Sequence, residues 1–446
     1  MKIYKNTYWL SPTMRRILYL DTLRGFLILY VVFIHAVLLI IFEANYDYVD
    51  ILPIWLLAIL FPFLLIAMWG PMFSMMSATT NTYLIYQQLE KGKQLSKTLF
   101  RRTSGYFLII LVHLINMTFF IHYIPLDDTL YRSLLTGTLE TGQLTLPSAL
   151  MFLNSGTLLL IGLSGILINF IFFFIWRNNQ HRNLKRTITI FIILTLLFLF
   201  TRPIIYPIVE SFIQQLIQQG NIIQAITLSW LFRGQFGLIP MAAIPFFGVI
   251  IGLFLSTKKP KKTFITFGGL SIIGILLISI IFVIWLGIPD LTLPYWPVTM
   301  ISINLMIMIL VTTLLIMRYE FPNEGKRKIR AKRSIFLRRF SMITLTIFVF
   351  ESIIAVLWAK LFTTIFIDPF PYNIGVDILF LFCVLCSWYV IARIWEKYDY
   401  KYSIEWFLIK INGRITGKTS QKLDVKTVLY QPLSIKNNMQ ETKAQK

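Results

Sequence analysis

Apolar residues in this chain come in long blocks rather than in strict alternation. Ten stretches of about 20 residues or more recur, near 22–42, 54–76, 103–123, 147–176, 187–206, 236–256, 263–287, 297–317, 341–366 and 374–395. Wound as helices, blocks of that length cross a hydrocarbon core of about 30 Å. The pattern predicts an all-α, polytopic membrane domain over 22–395, with a polar segment 1–21 before it and a tail 396–446 after it. Within the tail, 402–411 (YSIEWFLIKI) is aromatic and apolar enough to lie along an interface. Beyond Gly413 its composition predicts disorder.

The polar segments between blocks alternate in charge, and this settles how the composition is read. Only 14% of the 446 residues are charged, against about 25% in a soluble protein, which excludes a water-soluble globule. The net charge of +22 would suggest nucleic acid in a soluble chain. Here every second segment is basic, and all of the 42 Lys and Arg except Arg132, Arg202, Arg233 and Lys360 fall on one side of the ten-block arrangement. By the positive-inside rule that side is cytoplasmic, with both termini on it, in a cell membrane. The excess is a topology signal that also attracts anionic lipid or an anionic substrate, and nucleic acid is not an expected partner. The first block lacks a small-residue cleavage pattern and is expected to stay as a helix.

Some blocks depart from simple helices. Pro62, Gly70 and Pro71 precede the small polar run Ser74, Ser77, Thr79 and Thr80, which predicts a kink or break. Asn154, Gly156, Gly162, Ser164 and Gly165 give the fourth block a face suited to close helix contact. Residues 221–235 read as a short amphipathic or re-entrant piece, and no internal repeat supports an inverted-repeat transporter. Cys383 and Cys386, among Leu, Phe and Val, read as packing residues. Four histidines without a zinc-type spacing predict no protein-held metal.

A titratable side chain in hydrocarbon is costly and marks a candidate site. His35 in the first block, His113 in the third and Glu351 in the ninth fall at similar depth, so helix packing can bring them together. Lys360 is nine residues from Glu351, about 900° of helical rotation, and faces the other way. Arg202, before Pro203, reads as an anchor at a helix end. Arg24 and His35 are eleven residues apart, which puts them within about 20° of one helix face and roughly 16 Å apart along the axis. One face thus carries a cation at the basic mouth and an imidazole inside the membrane. That arrangement suits a cytoplasmic acyl-CoA whose phosphates meet Arg24, with His35 acting as base or acyl acceptor. The bland alternative is an anchoring arginine and a hydrogen-bonded histidine.

The first block also carries a family likeness. Arg16-x-x-x-Leu-Asp-x-Leu-Arg-Gly, with ten residues between Arg24 and His35, resembles the opening of the acyltransferase-3 membrane proteins and their wider superfamily, which includes the heparan-alpha-glucosaminide N-acetyltransferase group and uncharacterised bacterial relatives. Gly70 to Arg102, Phe236-Gly-Leu-Ile-Pro through Gly252, Ser341 to Glu351 and Ser403-Ile-Glu-Trp-Phe resemble later parts of the same proteins; Tyr402-Ser403 stands where a Gly-Pro is usual. The resemblance implies about ten helices and transfer of an acyl group, acetyl first among them, from acyl-CoA to a carbohydrate or lipid-linked acceptor outside the cytoplasm. Arg24, Arg101 and Arg102 then stand as donor-binding residues, Asp21 beside them at the entrance, with His35, Glu351 and His113 as catalytic candidates. Two classes stay open: this acyltransferase, and a proton-coupled transporter or non-catalytic membrane protein using Glu351 and the intramembrane histidines. The acceptor, the acyl chain length and assembly into a homo-oligomer also stay open.

Overall fold

The computed structural model describes residues 17–42, 66, 69–126, 129–233, 236–286, 298–366, 373–417 and 425–430. Most of the predicted second span (54–65, 67 and 68, including Pro62), residues 1–16 and the end of the tail lie outside them. Among the described residues eight helices are long and apolar enough to cross a membrane, and the chain is a polytopic membrane protein. They are α1 (Leu18–His35, continued by a π turn, Ala36–Ile41), α3 (Leu95–Phe119), α5 (Thr157–Ile175), the first half of α6 (Leu184–Gln218), α9 (Lys261–Leu286), α10 (Val298–Tyr319), α13 (Thr344–Ile365) and α14 (Ile374–Lys397).

Two further helices overlap the predicted second and sixth blocks. The break expected near Gly70 and Pro71 falls at Trp69, which forms a turn, and Gly70 starts α2 (Gly70–Glu90), with Pro71 in the first turn where its missing N–H has no partner to lose. The polar run that the sequence suggests ends a span becomes the inward face of α2, burying Ser74, Thr79, Asn81, Thr82 and Gln88. The other is α8 (Ala243–Ser256), only 14 residues long and buried along its whole length. The two helices touch backbone to backbone. A Cβ on Gly248 would sit 2.4 Å from the Met75 carbonyl oxygen and one on Gly252 2.7 Å from that of Thr79, while the Thr79 hydroxyl donates to the Gly248 carbonyl at 3.0 Å. Small residues four apart give the same close approach in membrane helix pairs generally.

The small-residue face expected in the fourth block is used as predicted. Gly162 abuts Ile110 and the Tyr106 carbonyl, and Gly165 receives the Tyr106 ring, so α5 lies directly on α3. The segment expected to be amphipathic or re-entrant forms the short helix α7 (Ile222–Phe232). Between α3 and α5 an antiparallel hairpin, β1 (Tyr123–Leu126) and β2 (Thr129–Arg132), and helix α4 (Leu134–Thr141) add a small cap to the otherwise helical fold. Ser133 and Thr136 hydroxyls tie this cap to the Ile121 and Phe120 carbonyls.

Three short helices, α11 (Glu324–Arg333), α12 (Ile335–Phe340) and α15 (Ile404–Ile415), build the basic end. The first helix enters the bundle against α12, where a Cβ on Gly25 would fall 1.8 Å from the Leu337 carbonyl oxygen. Ser403 caps α15 by accepting from the Trp406 N–H, and the next acid, Glu405, caps a different helix. Its carboxylate accepts the Leu345 N–H at 2.6 Å, the Thr346 N–H at 3.3 Å and the Thr346 hydroxyl at 2.6 Å, while Thr346 Oγ1 accepts the Ile404 N–H. Burial pushes the Glu405 carboxyl up, and the Thr346 and backbone donors pull against that shift. The orphan N–H groups at the start of α13 are thus satisfied by the tail. Nor does helical order stop at Gly413: α15 runs on to Ile415, and α16 (Val425–Tyr430) buries Val425 and Leu429 in the core and gives its Val428 and Leu429 carbonyls to the buried Arg338 guanidinium.

Two outcomes follow from these contacts. Gly252→Leu is expected to abolish folded monomer on size-exclusion chromatography in detergent, because the obstacle is backbone. Glu405→Ala is expected to lower stability by about 2 kcal/mol, between the loss of a cap and the loss of charge-assisted hydrogen bonds, read as a lower midpoint in equilibrium unfolding in mixed micelles; an unchanged midpoint would remove the capping role.

Candidate functional site

The polar centre of the bundle is built where α1, α13 and the end of α3 meet. His35 is the last α-helical residue of α1, directly before the π turn. Such turns widen a helix by one residue and are frequent at functional sites. This one is held by the cap, whose Tyr123 hydroxyl donates to the Leu39 carbonyl at 3.0 Å. His35 Nδ1 lies 2.7 Å from Glu351 Oε1 on α13. The side chain of His35 is 35% exposed and that of Glu351 only 4%, so the carboxylate is sealed and the imidazole is half-buried.

On the other side of the carboxylate stands His122, three residues past the end of α3, its Nε2 3.6 Å from Glu351 Oε2 and its side chain 2% exposed. The Ser352 hydroxyl donates to Glu351 Oε1 at 3.3 Å. Aromatic packing fixes this joint, with the rings of Phe120 and Phe350 edge to face at 4.9 Å. A carboxylate that receives the Nδ1 proton of a histidine selects the tautomer in which Nε2 is a lone-pair base. The pair can therefore take a proton at Nε2, or use that nitrogen as a nucleophile, while the carboxylate steadies the imidazolium or acyl-imidazolium that results.

Of the three residues expected to meet in the membrane, the structure brings together His35 and Glu351 and leaves out His113. His113 is buried on the face of α3 turned to α5. A Cβ on Gly156 would sit 3.1 Å from its Cε1, and its Nε2 has no hydrogen-bond partner. Val112, next to it, is the residue that turns to α13, packing with Leu158 and Val349. The sequence reading passed over His122 although it lies at the end of the same apolar block. Its signal was depth alone, since it stands next to a helix end and not on a helical spacing.

The donor-binding candidates are more dispersed. Arg24 is half-buried at the basic end of α1, with Asp21 buried one turn earlier. Arg101 and Arg102 stand early on α3, both half-buried; the Arg101 carbonyl accepts from Asn412 of α15, and the buried Nε of Arg102 has no partner. Beside them a polar seam runs between helices: Asn81 of α2 donates to Asn169 of α5, and Asn169 to Thr103 of α3, at 2.9 and 3.0 Å. Their polar surroundings thus come from α2, α5 and the tail helix. The fourth histidine, His181, pairs with Glu90 at 3.1 Å at the basic end. Lys360 is exposed, as its rotation from Glu351 requires. Cys383 and Cys386 are half-buried free thiols, and the Arg202 side chain lies outside the described residues. Among the described residues no group of three or more His, Cys, Asp or Glu is placed to hold a metal ion.

A double-mutant cycle in mixed micelles separates these arrangements. His35→Ala and Glu351→Gln should couple by about 1–3 kcal/mol, as groups in one network do, whereas His113→Ala and Glu351→Gln should be additive within about 0.5 kcal/mol. Additivity of the first pair would dissolve the site. No family model, curated protein or solved structure matches the chain, and the site is read from its own geometry.

Proposed function

We propose that this chain is an integral-membrane acyltransferase with ten membrane helices and both termini in the cytoplasm, moving an acyl group, acetyl first among them, from cytoplasmic acyl-CoA to a glycan, glycolipid or other acceptor on the far side of a cell membrane. The observation that carries the reading is the His35–Glu351 contact on the same helix as Arg24. A single helix offers a cation at the basic end and, roughly 16 Å further along it, a histidine whose tautomer a carboxylate fixes. The basic end, with Arg24, Arg101, Arg102 and the α11 cations, suits the phosphates of a CoA donor.

In this reading His35 Nε2 takes the proton of an acceptor hydroxyl or amine as that atom attacks the thioester carbonyl. The C–S bond breaks, and the proton passes from His35 to the leaving thiolate. In the two-step variant Nε2 itself attacks and carries the acyl group before the acceptor takes it. Either way positive charge develops on the ring, and Glu351 offsets it from a site too apolar for water to do so. His122 stands 3.6 Å from the second oxygen, beyond hydrogen-bond distance, and lines the buried side of the carboxylate. The transporter alternative uses the same row of groups, His122, Glu351 and His35, as a proton path.

Purified protein given labelled acetyl-CoA and candidate acceptors tests the reading. Wild type is expected to turn over the thioester, His35→Ala to lose about 10²–10⁴-fold, the range for a positioned acid-base group, and Lys360→Gln to match wild type. If wild type and His35→Ala are equally inert, the enzyme reading is dropped. Glu351-dependent proton flux in proteoliposomes would then favour the transporter.

A further inference from the structure

At the basic end of the bundle the chain's own tail occupies a pair of arginines. Helix α16 has six residues, too few for a helix to persist alone in water, so it keeps its shape only while docked. Val425 and Leu429 anchor it in the core, and its last turn lies on α12. Arg338, fully buried, donates from Nη1 to the Leu429 carbonyl at 3.1 Å and from Nη2 to the Val428 carbonyl, besides the Ala331 carbonyl at 3.3 Å. The next arginine, Arg339, donates from Nη2 to the hydroxyl of the next tail residue, Tyr430, at 3.3 Å, and that hydroxyl donates on to Glu396. Glu396 also holds the Nε edge of Arg339 at 2.6 Å.

Consecutive tail residues thus sit on consecutive arginines, so both guanidiniums meet one docked segment. The acceptors it offers are neutral oxygens: two carbonyls left over at a helix C-terminus and a phenol. A guanidinium bonds an ionised oxygen roughly twice as strongly, and its fork matches two oxygens of a phosphate. The outer edge of the contact faces solvent, since Tyr430 is 47% exposed. Its inner edge adjoins the first membrane helix. Leu337, whose carbonyl seats Gly25, is next in chain to Arg338, and Gly25 is next to Arg24.

We infer that Arg338 and Arg339 form a phosphoryl-binding site at the basic start of α1, and that α16 is its built-in competitor. A phosphate or diphosphate group takes the Arg338 fork and the Arg339 Nη2 donor in place of the Val428 and Leu429 carbonyls and the Tyr430 hydroxyl, and α16 undocks. A segment carried on the same chain competes at an effective concentration on the order of millimolar. Only a ligand that the guanidiniums hold more strongly than neutral oxygens displaces it. A free phosphoryl compound and a phospholipid headgroup share this chemistry. The competition does not depend on the acyl-transfer reading; assigning the phosphoryl group to the CoA donor does, and the tail then controls donor entry.

Amide hydrogen exchange of the purified full chain in detergent tests the competition, read over 425–430 while sodium pyrophosphate or CoA is titrated, with sodium chloride at matched ionic strength and glucose as controls. Wild type is expected to show a saturable rise in exchange with a phosphoryl compound and none with the controls. The same rise in nanodiscs of phosphatidylglycerol but not of phosphatidylcholine, without soluble phosphate, identifies the headgroup as the source. Leu429→Asp, which removes the apolar anchor, and Tyr430→Phe, which removes only the hydroxyl, should exchange faster without ligand. They should bind the effective ligand at least tenfold and threefold more tightly than wild type. Arg338→Lys, which keeps the charge but loses the fork, should bind it at least tenfold more weakly. No rise in exchange with any phosphoryl ligand or lipid, an equal rise with chloride, or equal affinity in wild type and Leu429→Asp overturns the site, and Tyr430→Phe decides if Leu429→Asp fails to fold. Acetyl-CoA turnover by wild type is scored in parallel. Tail release without turnover removes the acyl-transfer reading and leaves the site; turnover with an unresponsive tail does the reverse.

Discussion

A carboxylate sealed inside an apolar helix bundle must be compensated, because burying an uncompensated charge costs several kcal/mol and leaving one partner alone is the worst arrangement of all. Glu351 meets that constraint with His35 hydrogen-bonded at 2.7 Å to one oxygen and His122 3.6 Å from the other, from two different elements. The rest of the bundle is arranged so that all three arrive together. The π turn after His35 is tied to the cap through Tyr123, the chain leaves α3 in time for His122 to turn inward, and α13 is fixed at its start by the Glu405 carboxylate from the tail. The Tyr123 and Glu405 ties use hydrogen bonds that a helix interior does not supply, and all three act at helix ends, where backbone groups still need partners.

Close packing supplies the rest of the precision. In lipid there is little hydrophobic gain in bringing helices together, so contact depends on shape, and glycines set it. Gly248 and Gly252 let α8 lie on the backbone of α2, Gly162 and Gly165 admit Tyr106 between α5 and α3, and Gly25 seats α1 on the Leu337 carbonyl. This last contact joins the mouth of the first helix to the short α12, whose Arg338 and Arg339 are held by α16 and by Glu396 of α14. The tail is therefore part of the structure of the basic end, although its sequence is polar.

Much of the membrane architecture was legible because hydrocarbon imposes a length and an exclusion of charge, and both are written in one dimension. The long apolar blocks, the small-residue face of α5 and the outward turn of Lys360 follow from composition and helical rotation alone. Helix α2 was harder, because its buried face is polar and its apolar surface comes from a partner, whereas α8 lies within the sixth apolar block and is only shorter than that block.

For the candidate site, the sequence by itself determined the singular groups: a histidine on the face of Arg24, a second histidine in the third block and a carboxylate in the ninth. Only the tertiary structure decided which of them meet. His113 and His122 lie on and just past the same helix, nine residues apart, yet one turns to α5 and the other to Glu351. A rotation of 100° per residue and the path of the chain beyond a helix end separate them. Depth in the membrane can be counted along a sequence, but the neighbour across a helix interface depends on packing between segments hundreds of residues apart.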